Sequence, residues 1–232
     1  MRPPPIRRQS KLNFSEWEPI YSKIISDLNL SRTDDENSAR MLKALTLNSN
    51  LVSGDAVRDV MMPVATVFGD AYSLEDDVKS LPPEGTLISA GSATERLVEM
   101  NILPDLVVTD LDGNIESQIE ASKSGSITVV LAHGDNTDLI AEHIKSFKGP
   151  LLLTTQSNPT GIVENYGGFT DGDRAVCIAR HFGAKRILLE GFDFEKPHLR
   201  AGNDEETSLK KLKWAKEIIF GTNPSDVEII RP

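Results

Sequence analysis

Two aspartates follow directly on an apolar run in the stretch PDLVVTDLDGN, residues 104–114. In extended backbone, residues i and i+2 point to the same side, so we expect Asp110 and Asp112 to face one point while Leu111 turns toward the core. Two carboxylates held this close repel each other, or one stays protonated, unless a cation lies between them. The alternative for this motif alone is an Asx-rich turn after a strand.

A second acidic group follows the next apolar run, SITVVLA, where the chain continues with His133, Asp135 and Asp138. The alternative is that this segment only caps the next helix. Acidic residues after two successive strands nevertheless favour a metal site, with Asp110, Asp112, Asp135 and Asp138 as the predicted ligands. Oxygen ligands without cysteine suit a hard cation, and Mg²⁺ carrying substrate phosphates is the common case. His133 is a candidate base or phosphate-orienting residue, or a structural histidine.

A glycine-rich segment, ENYGGFTDGDRA, precedes a predicted helix. Gly167 and Gly168 allow the backbone to approach a ligand closely, and a helix beginning near Asp173 offers N–H groups to an anion or a polar ring. Arg174 could bind a phosphate in bidentate fashion, and Phe169 could stack on a flat ligand. The alternative is a helix capped by Thr170 or Asp171, with Arg174 on the surface and Phe169 packed as an ordinary aromatic residue.

The elements that must position these residues are short, continuously apolar runs separated by helical segments. Continuous rather than alternating apolarity indicates strands buried on both faces, and hence a mostly parallel sheet flanked by helices in a Rossmann-like α/β fold. Ligands of such sheets bind beyond the carboxyl ends of the strands, which also singles out Gln156 and Asp193. The six predicted strands span residues 63–68, 85–90, 105–109, 126–132, 150–155 and 185–192.

The N-terminal part has a different pattern, so we predict a tail and helical cap at residues 1–57 and a catalytic domain at residues 58–232. Two amphipathic helices are expected after the basic, proline-containing start. Each shows the spacing of a capping box, Ser15 with Glu18 and Thr33 with Glu36. Near the C-terminus, residues 205–221 predict a further helix that ends at Gly221, and residues 195–206 form a loop that could act as a lid.

Composition excludes several classes of function. The chain has 232 residues, 39% of them hydrophobic, which is enough for a sizeable core. A net charge of −10 disfavours nucleic acid as a partner. The single cysteine, Cys177, excludes an internal disulfide and suits a reducing cytoplasm. No apolar run reaches the roughly 20 residues that a membrane-spanning helix needs.

Five segments taken in order, LPDLVVTDLDGN, VVLAHGDNTD, TTQ, NYGGFTDGDRA and FGAKRILLEGFDF, resemble the archaeal 6-hydroxymethyl-7,8-dihydropterin pyrophosphokinase family. That family is distantly similar to thiamin pyrophosphokinases, and the resemblance covers about residues 60 to 220. It implies that the hydroxymethyl oxygen of a reduced pterin attacks the β-phosphorus of ATP and that AMP leaves. It also implies a cytoplasmic, Mg²⁺-dependent enzyme, with a homodimer as a further expectation.

The resemblance also assigns roles to residues. Asp110, Asp112 and Asp135 would be catalytic, and the metal ligands would be Asp110, Asp112 and Asp135 or Asp138. Nucleotide or pterin would be bound by His133, Gln156, Asn165, Gly167, Gly168, Phe169, Thr170, Asp171, Asp173 and Arg174. Two departures stand out. Only Gly69 remains of the glycine-rich turn after the first strand, and Gly91-Ser92 stands where relatives have Asp-Gly. Ser92 with Glu95 has the spacing of a helix capping box.

Three other functions remain open at this level. Thiamin is an alternative acceptor. VVTDLDGN also mimics the nucleophile motif of haloacid-dehalogenase phosphatases, although that motif normally opens the sheet and lacks an asparagine at the place of Asn114. The altered turns at Gly69 and Gly91 would also suit a nucleotide- or pterin-binding regulator without turnover.

Overall fold

The computed structural model describes residues 12–199 and 204–232. The predicted basic tail, residues 1–11, lies outside them, as does part of the predicted 195–206 loop. Within these ranges the chain forms one eight-stranded sheet in the order β6-β5-β4-β3-β2-β1-β7-β8, and every pairing is parallel. The predicted α/β fold with a parallel sheet is therefore confirmed.

All six predicted strands are present, and two short edge strands were not predicted. The strands are β1 (Val64–Phe68), β2 (Thr86–Ala90), β3 (Leu106–Thr109), β4 (Ile127–Ala132), β5 (Leu151–Thr155), β6 (Val163–Glu164), β7 (Arg186–Glu190) and β8 (Glu228–Ile230). The chain adds β2 to β6 successively on one side of β1 and then returns to place β7 and β8 on its other side. The order reverses between β1 and β7, and doubly wound sheets bind ligands beside such a switch point.

Helices cover both faces of the sheet. They are α1 (Phe14–Asp27), α2 (Arg32–Leu45), α3 (Gly54–Val60), α4 (Leu74–Ser80), α5 (Ala93–Glu99), α6 (Ile115–Lys123), α7 (Thr137–His143), α8 (Asp171–Phe182) and α9 (Glu205–Lys216), the last continued by a π-helical turn to Gly221. On one face, α3, α8 and the α9 end pack on Val67, Val108 and Leu189. On the other face, α2 and α4 to α7 cover the strand side chains that point to that side of the sheet.

The helix starts differ in detail from the predicted capping boxes. The N-cap of α1 is Asn13, which forms a reciprocal capping box with Glu16, and α2 is capped by Ser31, which accepts a hydrogen bond from Asp34 N. Both N-caps lie two residues before the predicted ones. Asn13 and Ser31 have the extended backbone that a cap needs, whereas the predicted Ser15 and Thr33 already lie inside the first helical turn.

The predicted box of Ser92 and Glu95 does not form either. Ser92 itself has helical backbone angles and makes no side-chain capping bond. The Glu95 carboxylate instead accepts a hydrogen bond of 2.6 Å from Asn114 Nδ2, which connects α5 to the start of α6.

The N-terminal helices are packed firmly on the rest of the chain. Trp17, Tyr21 and Ile24 are fully buried and share an apolar cluster with Phe169 and with the free cysteine, Cys177, which is also buried. Among the described residues, no helix combines the length and apolarity needed to cross a membrane.

Candidate active site

A cavity of about 480 Å³ lies along the carboxyl edge of the sheet. The residues that follow six neighbouring strands line it, as the strand-end rule predicts: Gly191 after β7, Gly69 after β1, Ser92 after β2, Asp110 after β3, His133 after β4 and Gln156 after β5. The loop after β7 and the helix α9 also contribute walls.

Three carboxylates meet in this cavity. Oxygen atoms of Asp110, Asp112 and Asp171 all lie within 4.8 Å of one another. Asp110 and Asp112 come from the loop after β3, whereas Asp171 is the first residue of α8, which crosses the sheet above β1 to β3. The sequence predicted the first two as metal ligands, but it gave Asp171 only a role in ligand binding or capping.

The two loop carboxylates converge for a reason other than the expected one. The chain is not extended between them, because Leu111 has the left-handed backbone angle φ of 70°. Its N–H donates to Thr109 Oγ1 at 2.8 Å, and Asp112 N donates to Asp110 Oδ1 at 3.2 Å. The Leu111 side chain is buried in the core as expected, and that burial offsets the roughly 1–2 kcal/mol that the left-handed conformation costs.

The pKa values of Asp171 and Asp110, two of the three carboxyl groups, are shifted in opposite directions. Burial, together with the charges of Asp110 and Asp112, raises the pKa of Asp171 well above its usual value. Its Oδ1 is buried without a hydrogen-bond partner in the described part of the chain. For Asp110, burial acts to raise the pKa, but the hydrogen bond and charge of His133 and the bonds from Asp112 bring it below the usual value. The charges of Asp110 and Asp112 thus disfavour the charged form of Asp171.

His133 is oriented by the loop that follows β4. Its Nδ1 accepts a hydrogen bond from Asp135 N at 3.3 Å, so the neutral ring carries its proton on Nε2, which lies 3.3 Å from Asp110 Oδ2. Its backbone N–H is held by Asn136 Oδ1 at 3.0 Å. The imidazole therefore supports the position of Asp110 from the side of β4.

Asp135 and Asp138, the other predicted metal ligands, lie outside the three-carboxylate cluster. The chain turns into a 3₁₀ segment, Gly134–Asn136, immediately after β4, and both side chains are exposed. Asp135 lines the cavity, whereas Asp138 lies in the first turn of α7. The buried polar group at this strand end is the amide of Asn136, which donates to Asp110 O at 2.8 Å.

Phe169, Thr170 and Asp171 of the glycine-rich segment line the cavity, whereas the residues on either side of them support it from behind. Arg174 is neither a surface residue nor available to a phosphate, because it is fully buried and donates to the carbonyl oxygens of Gly167 and Gly168. Asp173 completes the capping box with Thr170, and Asn165 bonds Ser157 O and Gly167 N. Both glycines have positive φ, 79° and 91°, which this turn requires.

The predicted binding residues that do line the cavity are His133, Gln156, Phe169, Thr170 and Asp171. Sequence reasoning did not identify Lys196 and His198, two further residues that line the cavity from the loop after β7. His198 Nδ1 lies 2.7 Å from Asp70 O, and its ring contacts the Tyr72 ring at an interplanar angle of 45°, so this loop is joined to the residues after β1. The strand-end rule applied to β1 would have identified Asp70.

Fold and site together define a doubly wound α/β protein with a carboxylate-lined ligand cavity at the carboxyl edge of its sheet. Residues 39–198 match the family described as 6-hydroxymethylpterin diphosphokinase MptE-like, and the chain belongs to that family.

Relatives with the same printed name are similar over most of the chain. The 6-hydroxymethyl-7,8-dihydropterin pyrophosphokinase of Pyrococcus furiosus is 40% identical over 90% of this chain and 93% of its own length. That of Methanothermobacter thermautotrophicus is 41% identical over 88% and 92%.

Among solved structures, the MAf glycosyltransferase from Magnetospirillum magneticum AMB-1 has a TM-score of 0.50 at 14% identity, covering 87% of this chain. The match spans only 38% of the glycosyltransferase chain. This likeness concerns the fold alone.

Proposed function

We propose that the protein transfers diphosphate from ATP to the hydroxymethyl group of 6-hydroxymethyl-7,8-dihydropterin and releases AMP. The observation that carries the proposal is 40% identity, over 90% of the chain, to a relative named as this pyrophosphokinase. The cavity suits this reaction, because the transfer of diphosphate from a nucleotide to an alcohol needs positioning and neutralisation of anionic oxygens rather than a covalent nucleophile.

The residues present fit a bound Mg²⁺. Asp110, Asp112 and Asp171 offer oxygen ligands within 4.8 Å of one another, and the buried Asp171 Oδ1 lacks a partner among the described residues. These three side chains would hold the ion, with Asp171 in the role first expected of Asp135 or Asp138. When bound, Mg²⁺ neutralises charge on the phosphate oxygens of ATP.

The chain's own groups have separable tasks in this scheme. His133 keeps Asp110 in place, and the left-handed turn at Leu111 holds Asp110 and Asp112 on the same side. Lys196 and Lys211, which line the cavity, supply positive charge for a nucleotide's phosphates. We place this activity in the cytoplasm, in keeping with the free, buried thiol of Cys177.

The test is an AMP-release assay with ATP and Mg²⁺ and four acceptor conditions: the reduced hydroxymethylpterin, thiamin, a pterin without the hydroxymethyl group, and no acceptor. We expect AMP only with the hydroxymethylpterin, and none after chelation of the metal. AMP formation with thiamin alone would identify the other acceptor. Inorganic phosphate without AMP, together with a phosphorylated Asp110, would identify a phosphatase, and binding of pterin and ATP without any product would identify a regulator.

Metal binding has a second readout that does not depend on turnover. Added Mg²⁺ should raise the melting temperature of the protein, because an ion that binds the folded state stabilises it by mass action. The absence of any shift with Mg²⁺ or Mn²⁺ would argue against the three-carboxylate site.

A further inference from the structure

Gln156, the residue after β5, is held in one orientation by the N-terminal helices. Its side chain is almost fully buried, and its Nε2 donates to Asp35 Oδ2 at 2.8 Å. Its backbone oxygen accepts from Trp17 Nε1 at 2.8 Å. A carboxylate only accepts hydrogen bonds, so the amide must present its NH₂ group to Asp35. The orientation of Oε1 is thereby fixed as well.

Asp35 is itself anchored on several sides. Tyr21 Oη donates to its Oδ2 at 2.6 Å, and Gly134 N donates to its Oδ1 at 2.8 Å. The α2 carboxylate thus joins α1, the loop after β4 and Gln156 in one buried network. Such a network restricts the side chain of Gln156 to one conformation, and a ligand-binding side chain that is already ordered loses less conformational entropy when the ligand binds.

The hydrogen bonding of the side-chain carbonyl oxygen, Oε1, differs from that of the NH₂ group. Gln156 Oε1 is buried and makes no hydrogen bond within the described residues, although Gln156 lines the cavity. A buried acceptor left without a donor costs about 1–3 kcal/mol. A ligand with an N–H group at this point would remove that cost.

The surroundings of Gln156 suit a flat, uncharged ring. Leu30 and Phe169 also line the cavity, and both belong to the apolar cluster of Trp17. The cationic side chain of Lys196 lies instead with the loops after β7 and β1, where His198 Nδ1 is close to Asp70 O.

The strand order places the carboxyl ends of β5 and β1 on opposite sides of the three-carboxylate cluster. β5 lies two strands from β3 in one direction, and β1 lies two strands away in the other. At about 4.8 Å per strand, each end is roughly 10 Å from the strand that carries Asp110 and Asp112. The anionic nucleotide matches the end at the β1–β7 switch point, where Lys196 lies, which leaves the β5 end for the uncharged acceptor.

We propose, on the basis of the function proposed above, that Gln156 Oε1 accepts a hydrogen bond from the aminopyrimidinone edge of the pterin. The 2-amino and N3 positions of that edge carry N–H donors. The hydroxymethyl group is at the other end of the bicyclic ring, so it points from β5 toward Asp110. Phe169 and Leu30 contact the ring, and Asp35 acts as a positioning residue through the amide.

The test compares Gln156→Leu with the wild-type protein by pterin fluorescence, without metal or nucleotide. We expect the dissociation constant for 6-hydroxymethylpterin to rise about 10-fold to 100-fold. The affinity for a non-hydrolysable ATP analogue, measured with Mg²⁺, should change less than about twofold. The matched control is Thr128→Val, because Thr128 in β4 is also buried, with an Oγ1 that has no hydrogen-bond partner among the described residues, and does not line the cavity. It should keep wild-type pterin affinity.

A change in the ligand separates recognition from damage to the fold. A hydroxymethyl analogue with oxygen in place of the 2-amino group should bind the wild-type protein more weakly than the pterin does. The Gln156→Leu variant should lose this preference. The assignment would be overturned if the variant still preferred the pterin to the analogue or bound the pterin with wild-type affinity. Loss of affinity for the ATP analogue alone would also overturn it and would place adenine at Gln156.

The outcomes also distinguish this inference from the proposed function. If the wild-type protein releases AMP with the hydroxymethylpterin but the variant binds the pterin normally, only the location of the ring is wrong. If the wild-type protein neither binds the pterin nor releases AMP with it, the proposed function and this assignment both fail.

Discussion

The absence of a side chain at Gly91 makes room for the Asp171 carboxylate. A Cβ atom placed on Gly91 would lie 2.5 Å from Asp171 Oδ2 and 3.6 Å from Asp112 Oδ1. Gly91, which stands where the resemblance implies the aspartate of an Asp-Gly pair, therefore allows a carboxylate from α8 to reach the cluster.

Gly91→Ala should lower turnover at least about 10-fold, because the methyl group must displace Asp171 and small misplacements in a catalytic cluster are costly. The rate of AMP release measures this effect. Gly221→Ala is the matched control, since its Cβ would lie 2.6 Å from a carboxylate oxygen of the exposed Glu217, outside the cavity. Equal rates for Gly91→Ala and wild type would contradict the close contact seen here.

Asp171→Asn should reduce turnover by about 100-fold or more, as removal of a group that stabilises the transition state does. Its melting temperature should hold or rise in metal-free buffer, because the substitution removes a carboxyl group whose charged form is disfavoured by burial and by the charges of Asp110 and Asp112. We expect Mg²⁺ to stabilise the wild-type protein but not the variant.

Asp138→Asn serves as the control for that variant, because Asp138 is exposed and lies outside the cluster. We expect near-normal turnover from it. A fully active Asp171→Asn would show that α8 contributes no metal ligand.

Glu190, at the end of β7, should make stability depend on pH. The residue is fully buried, and neither carboxylate oxygen has a hydrogen-bond partner in the described chain. Burial, and to a smaller extent the charge of Asp77, raises its pKa to about 7. The folded state therefore holds this proton more tightly than the unfolded chain, so the stabilisation is present below pH 4.5 and is lost as pH rises through 7.

Glu190→Gln should remove the loss of stability that the wild-type protein shows as pH rises. Relative to wild type, the variant's free energy of unfolding in urea should increase between pH 5 and pH 8, by up to about 3 kcal/mol. Glu120→Gln, at an exposed position in α6, should follow the wild-type dependence. A constant difference between Glu190→Gln and wild type over this range would refute the raised pKa.

Arg174→Met should destabilise the fold by about 2–4 kcal/mol, because it leaves the carbonyl groups of Gly167 and Gly168 without their donor. Urea denaturation measures the loss, with the exposed Arg40→Met as a control expected near zero. At temperatures where the variant is folded, its KM for ATP should stay close to normal. Full stability with a raised KM for ATP would restore the phosphate-binding interpretation.

Local patterns in the sequence were enough for most of the fold. Continuous apolar runs identify strands β1 to β5 and β7, because strands covered on both faces leave that signature. The edge strands β6 and β8 have two and three residues, too few to show any pattern. The helix starts were missed by two residues because Asn13 and Ser31 compete with equally suitable polar residues just after them.

The site was predictable where it is local in sequence. Asp110 and Asp112 are close in sequence, so their proximity was predicted, although the left-handed turn at Leu111 and not an extended backbone brings them together. The partnership with Asp171 depends on how α8 crosses β1 to β3, which no spacing encodes. Similarly, the sequence shows that Arg174 can bind anions but not that packing buries it.

The lengths of the two outer strands bear on how copies of this chain can meet. β6 and β8, at the margins of the sheet, contain only two and three residues. Such short edges offer few free backbone groups to an incoming strand, which guards against edge-to-edge aggregation. A homodimer would therefore have to form through helix or loop surfaces and not by continuing the sheet from one subunit into the next.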